Sequence, residues 1–207
     1  YTDTPSTVNP QGTMPQALYR DNGHTVTLPT LYDTVRSLDQ VTEVDYYIPG
    51  CAPTPKLVVQ ALEALLSGNL PPKGSVLAPD IALCDECERR STKPDKVSTE
   101  AFVRPSSTVL KDDLCLLAQG VLCMGPSTRS GCGSLCVQGN MPCTGCFGPT
   151  SRVKDHGAKA LSGFAATAAS NDAGEIERIL GAIPDPVGTF YRYSLASSLL
   201  RRRRGLV

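Results

Sequence analysis

Eight cysteines fall between positions 84 and 146: Cys84, Cys87, Cys115, Cys123, Cys132, Cys136, Cys143 and Cys146. Thiols gathered this densely close disulfides, bind a structural metal or hold an iron–sulfur cluster. The ninth, Cys51, stands apart. Eight divides into two sets of four, the ligand number of a four-cysteine zinc site and of a 4Fe–4S cluster alike. An odd total of nine, with no secretory segment in view, argues against a disulfide framework. Zinc is harder to set aside. A zinc ribbon shows two CxxC knuckles around a modest loop. Here CxxC pairs stand at 84/87 and 143/146, but the other cysteines are single, at spacings of seven, eight and three intervening residues. Glycines at 125, 131, 133, 139, 145 and 148 crowd the cysteines. They let backbone N–H groups approach sulfur, and such bonds tune a cluster's potential. The pattern favours clusters and leaves zinc open.

The elements that must hold these thiols are sparse. The 32 residues from Cys115 to Cys146 carry little bulky apolar content and cannot fold around a hydrocarbon core of their own. Ligand binding is expected to supply the folding free energy there. Upstream, residues 1–16 read as irregular. Tyr19-Arg20, the turn Asp21-Asn22-Gly23 and the alternating run from His24 to Leu28 predict a hairpin, with His24 facing solvent. Leu31, Val35 and Leu38 predict a short helix, and residues 44–48 a strand. Pro49-Gly50-Cys51-Ala52-Pro53 is then a stiff turn. It feeds a helix capped by Thr54, started by Pro55, faced by Val58, Ala61, Leu62 and Leu65, and ended by Gly68. Strand, turn, helix is how α/β folds present functional groups. A thiolate at Cys51 would be stabilised near the helix N-terminus; a buried structural thiol is the plainer alternative.

Residues 71–105 are Pro-, Lys- and Ser-rich. After Pro149 helices return: residues 155–168 have high helix propensity, with His156 solvated near the start. Asn171 is the expected cap of a segment carrying Ile176, Ile179, Leu180 and Ile183. The arginines at 201–204 read as a solvated or subunit-docking tail.

Composition excludes several classes. Twenty basic and 20 acidic residues give a formal net charge of +0, so there is no global electrostatic case for nucleic acid. Aromatic content is 5% and Trp is absent, which leaves few base-stacking platforms. No run approaches the ~18 apolar residues of a membrane-spanning helix. Free clustered thiols point to a reducing compartment. The chain opens on Tyr1, in what reads as a loop, so an N-terminal portion is expected to lie outside this sequence.

Three stretches carry a resemblance. YYIPGCAPTPKLVVQALEALL resembles the PGCPPxP segment of NiFe hydrogenase small subunits. LAQGVLCMGPSTRSGCGSLCVQGNMPCTGCFGPT is similar to the ferredoxin-like region of the cytosolic branch of that family, and IPDPVGTFYRYSLASSLLRRRR to its C-terminus. The match is closest to the methyl-viologen-reducing, heterodisulfide-reductase-associated type, with the sulfhydrogenase small subunit next. The resemblance implies the end of a flavodoxin-like α/β domain over residues 1–75. A loop-rich, ferredoxin-like two-cluster domain would follow over 76–150, and a helical segment over 151–207. It implies an oxidoreductase subunit with no catalytic residue of its own. Such a subunit relays electrons between a NiFe large subunit and an external acceptor, either an iron–sulfur adaptor or a flavoprotein such as heterodisulfide reductase. By the same resemblance Cys51 is the last ligand of a proximal 4Fe–4S cluster. Cys84, Cys87, Cys115 and Cys123 serve the distal one, and Cys132, Cys136, Cys143 and Cys146 the medial one. Some relatives place His where Cys84 stands. Relatives with a 3Fe–4S medial centre have Pro for one cysteine, so four cysteines imply a full 4Fe–4S cluster; the spacing departs most at Cys136. The family's other proximal ligands lie in an N-terminal domain, and no cysteine precedes Cys51 here. A stand-alone electron carrier and a zinc-stabilised interaction module are the competing readings. Finally, Asp85, Glu86, Glu88, Arg89 and Arg90 surround Cys84 and Cys87; since charge is expensive to bury, that set is expected nearest solvent.

Overall fold

The computed structural model describes residues 7–12, 16–29 and 35–200. It divides into two compact units, residues 1–36 and 37–207. The first holds the expected hairpin. Strands β1 (Leu18–Asp21) and β2 (His24–Thr27) pair antiparallel around Asn22-Gly23, with Asp21 opposite His24. A two-residue Asn-Gly link suits this hairpin because both residues take positive φ, 46° and 83° here. All eight strand residues, His24 included, are exposed.

Of the helix predicted from Leu31 to Leu38, residues 31–34 lie outside the described residues, as do the arginines at 201–204; residues 35–37 are not helical, and a 3₁₀ turn, Leu38–Gln40, follows. In the second unit the strand expected over 44–48 shrinks to β3 (Tyr46–Tyr47), parallel to β4 (Ser75–Val76). Helix α1 (Pro55–Ser67) spans the connection between them. Thr54 Oγ1 accepts from Leu57 N at 3.4 Å, and Gly68 closes the helix in the left-handed region. Its inner face differs from the expected one. Leu57 and Ala61 are buried and line a cavity with Leu77, Ala78 and Pro79, whereas Leu62 is 51% and Leu65 45% exposed.

The main core lies elsewhere. Leu83, Leu116, Leu117, Val121, Met124 and Val137 pack with Ala160, Phe164, Ile183, Phe190 and Tyr191. The cysteine-dense stretch therefore supplies half of a shared core, and the C-terminal helices supply the rest. Those helices are α3 (His156–Ala165), α4 (Ala173–Gly181) and α5 (Pro186–Phe190); the short α2 (Leu135–Gln138) precedes them. Asp155 caps α3 through Ala158 N at 2.9 Å. Asp172, not Asn171, caps α4 through Glu175 N. His156 begins α3 as expected but is buried, not solvated. Thr128 donates its hydroxyl to the Met124 carbonyl, and His156 Nε2 lies 3.4 Å from the same Thr128 oxygen. Burial holds the imidazole below its ordinary pKa. Phe164 stacks edge-on to Phe102 and tilted on Phe190, 6.0 and 5.5 Å between centroids.

Gly157 shows how tight this packing is. A Cβ there would stand 2.5 Å from the Tyr191 ring. Overpacking costs about 1–3 kcal/mol, more than the ~1 kcal/mol of helix propensity that alanine brings. Gly157→Ala is thus expected to lower the melting temperature; a rise would show that the Tyr191 ring yields. Among the described residues no helix is long and apolar enough to cross a membrane.

Candidate metal centres

Short turns, not long elements, hold the thiols. Cys84 sits in the 3₁₀ turn Leu83–Asp85, and Cys115 precedes the turn Leu116–Gln119. Cys123 lies just before the turn Gly125–Ser127, and Cys136 is within α2. All nine cysteines are free.

The chain brings them together in fours. Cys84, Cys87, Cys115 and Cys123 line one cavity with Leu116, Leu117 and Arg89. Cys132, Cys136, Cys143 and Cys146 line a second, of about 110 Å³, with Phe147. Leu83 and Val137 wall both. The first cavity closes to about 20 Å³, room for one or two waters, so an eight-atom inorganic core would spread its thiols. Among the described residues no three of His, Cys, Asp or Glu stand close enough to hold a single metal ion.

Backbone amides are aimed at the sulfurs. Gly125 N–H reaches Cys123, Gly145 N–H reaches Cys143, and the amides of Ser134 and Leu135 reach Cys132. Different parts of the site are also joined. Cys143 N–H donates to Cys123 Sγ at 3.4 Å, linking the two sets. The turn after β3 adjoins the second set, with Ala52 and Thr54 lining its cavity beside Cys146. Cys51 itself is exposed, on the loop before the capped helix, so the buried structural thiol is not what the fold makes of it.

Burial pushes the Cys84 thiol up to about 12, and nearby Cys123 adds to it. Cys143 is likewise pushed up to about 12 by burial and then by Cys123. Burial also raises Cys123, Cys132 and Cys146, the first two against the amides just named. Anything that takes these groups as thiolates must displace protons.

The exposure order expected from charge does not hold in this chain. Cys84, Cys87 and Cys115 are half-buried and Cys123 buried, whereas Cys136 of the other set is exposed. Two charged residues beside Cys87 turn inward because backbone groups receive them. Glu86 Oε1 accepts from Gly131 N and Gly133 N at 2.9 and 3.0 Å and lies 4.0 Å from Cys132 Sγ. Arg89 is 3% exposed. Both belong to the site, although charge alone reads them as solvated; their place on either side of Cys87 was the available signal.

Fold and site together define a polypeptide that gathers free thiols in two adjoining sets of four, with donor amides directed at the sulfurs. No family model matches the chain. It is 37% identical over 207 residues to the iron-sulfur subunit of the F420-non-reducing hydrogenase of Archaeoglobus profundus, covering 98% of this chain and 63% of that protein. It is 35% identical to a subunit of the F420-non-reducing hydrogenase of Methanothermobacter thermautotrophicus, covering 97% and 61%. A third relative, an F420-non-reducing hydrogenase subunit from Methanothermus fervidus, is 40% identical over 123 residues, 58% of this chain and 95% of that protein. The chain belongs to the small-subunit family of the F420-non-reducing hydrogenases, which are the methyl-viologen-reducing NiFe hydrogenases. It spans 63% and 61% of the length of the first two relatives.

Proposed function

We propose that this chain relays electrons through 4Fe–4S clusters, between a NiFe large subunit and an external acceptor of the heterodisulfide-reductase kind. The observation that carries the reading is the pair of adjoining four-thiol cavities joined by Cys143 N–H and Cys123 Sγ. Cys132, Cys136, Cys143 and Cys146 would hold the medial cluster, and Cys84, Cys87, Cys115 and Cys123 the distal one. Cys51 would complete a proximal cluster whose other ligands lie outside this chain. The bound clusters supply one-electron redox chemistry over a range of about −700 to +450 mV, set by charge, burial and hydrogen bonds to sulfur.

The chain's own groups do the rest. Leu83, Leu116, Leu117 and Val137 keep water from the inner sulfurs. Glu86 fixes the Gly131–Gly133 loop around Cys132. The sulfur-directed amides stabilise negative charge without moving. In this reading the α1 region is the end of a flavodoxin-like domain, residues 76–150 form the two-cluster domain, residues 151–207 pack against it, and the setting is the cytoplasm.

Purified anaerobically, the protein is expected to contain iron and acid-labile sulfide equivalent to about two 4Fe–4S clusters, given four cysteines for each. It should be brown and bleach on reduction. Stoichiometric zinc with negligible iron would replace this reading with a zinc-stabilised module.

A further inference from the structure

Two arginines are buried among the described residues, and they are satisfied in different ways. Arg129 pairs with Asp80, Nη2 to Oδ1 at 2.8 Å, and donates to the Pro79 and Pro149 carbonyls. Arg89 has no carboxylate partner among the described residues. Its Nη1 donates to Asn140 Oδ1 at 3.0 Å and, at 3.4 Å, to the carbonyls of Lys111 and Leu114; its Nη2 donates to the Val137 carbonyl at 2.9 Å. Its Nε–H is buried and meets no acceptor. Arg89 also lines the cavity formed with Cys84, Cys87, Cys115 and Cys123.

A buried cation held only by neutral dipoles is expensive unless a counter-charge completes it. The potential anions that line the same cavity are the four thiols; Asp112 and Asp113, between the two carbonyls that Arg89 binds, are exposed to solvent. We propose that Arg89 is the internal counter-ion of the Cys84/Cys87/Cys115/Cys123 centre and holds its reduction potential up. This rests on the cluster reading above. Adding one electron makes a thiolate-held centre more negative, and a fixed guanidinium charge favours that reduced form. At an effective dielectric of about 20, unit charges a side-chain length apart interact by more than the equivalent of a tenfold change in equilibrium. The neighbouring set has the opposite environment. Glu86 places a carboxylate oxygen 4.0 Å from Cys132 Sγ, and the other buried arginine, Arg129, is already neutralised by Asp80. Together these charges make transfer from the Cys132–Cys146 set to the Cys84–Cys123 set downhill.

The test is an EPR-monitored redox titration of the protein purified with its clusters, after iron and sulfide analysis. Signals are assigned by Cys87→Ser, which alters one centre. Arg89→Gln is expected to keep the iron and sulfide content. It should lower the reduction equilibrium constant of the Cys84-containing centre at least tenfold, about 59 mV for a one-electron couple, with little change at the other centre. Arg89→Lys restores the charge and most of the potential. Asn140→Asp sets a carboxylate against Arg89 without removing it and should lower the same centre; it decides the matter if the glutamine protein is not recovered. An unchanged potential at that centre in Arg89→Gln or in Asn140→Asp overturns the proposal. So does loss of the cluster in Arg89→Lys, which would make Arg89 a scaffold for the carbonyls it binds. Parent protein lacking iron and sulfide fails the cluster reading before any variant is compared.

Discussion

Removing iron with a strong chelator under anaerobic conditions will release the amides of residues 115–146 and of α3 and α5 together, while α1 keeps most of its protection. The shared core is the reason. Leu116, Leu117, Val121, Met124 and Val137 are buried against Phe164, Ile183, Phe190 and Tyr191. The elements around the first group are short, two 3₁₀ turns and the four-residue α2, with little stability of their own. Structural zinc contributes about 10–16 kcal/mol of apparent folding free energy in zinc-finger peptides, a scale for metal held by cysteine thiolates. A third of that lowers exchange protection by more than ~100-fold, at 1.4 kcal/mol per decade. Helix α1 contributes no residue to this core and is spared. Hydrogen exchange of the metal-free protein is the measurement. Equal protection of residues 115–146 with and without iron would show that packing alone holds the cysteine loops.

Much of this was legible because local chemistry was strong. The Asn22-Gly23 link, the Thr54–Pro55 start and the Gly68 stop of α1 each need only neighbouring residues, and each appears where the sequence places it. What failed depended on long-range packing. Of the predicted face Val58, Ala61, Leu62 and Leu65, only Ala61 is buried, together with Leu57 beside it, while Leu62 and Leu65 stay exposed. The middle third looked poor in apolar mass when read alone. Five of its large residues, Leu116, Leu117, Val121, Met124 and Val137, are buried because the C-terminal helices complete their surroundings, and no window of the sequence shows that.

Polar residues near the cysteines were misjudged for a related reason. Glu86, Arg89 and His156 read as solvated because charge and imidazole prefer water. Each is drawn inward by backbone or side-chain groups distant in sequence: Gly131 and Gly133 for Glu86, Val137 and Asn140 for Arg89, Thr128 for His156. A loop-rich region leaves many amides and carbonyls without ladder partners. Charged side chains next to the ligands are the nearest means of satisfying them.

Replacing Cys87 with serine in the assembled complex is expected to slow reduction of the external acceptor at least tenfold and leave hydrogen–proton isotope exchange unchanged. The order of contacts through the chain is the basis. Ala52 and Thr54 of the Cys51 turn line the cavity of the Cys132–Cys146 set, and Cys143 N–H donates to Cys123, so the Cys132–Cys146 set stands between the Cys51 turn and the Cys84–Cys123 set. If Cys51 faces the NiFe centre, as the proposed proximal ligand must, the Cys84–Cys123 set is the far end. Exposure alone would have placed Cys136 outermost; connectivity overrides it, because a thiol open in this chain can be covered by a subunit or by further polypeptide. Isotope exchange needs only the NiFe centre, whereas acceptor reduction needs every centre on the path. A Cys87→Ser complex that reduces the acceptor at full rate but loses isotope exchange would reverse the order, putting Cys87 beside the NiFe centre and Cys51 at the exit.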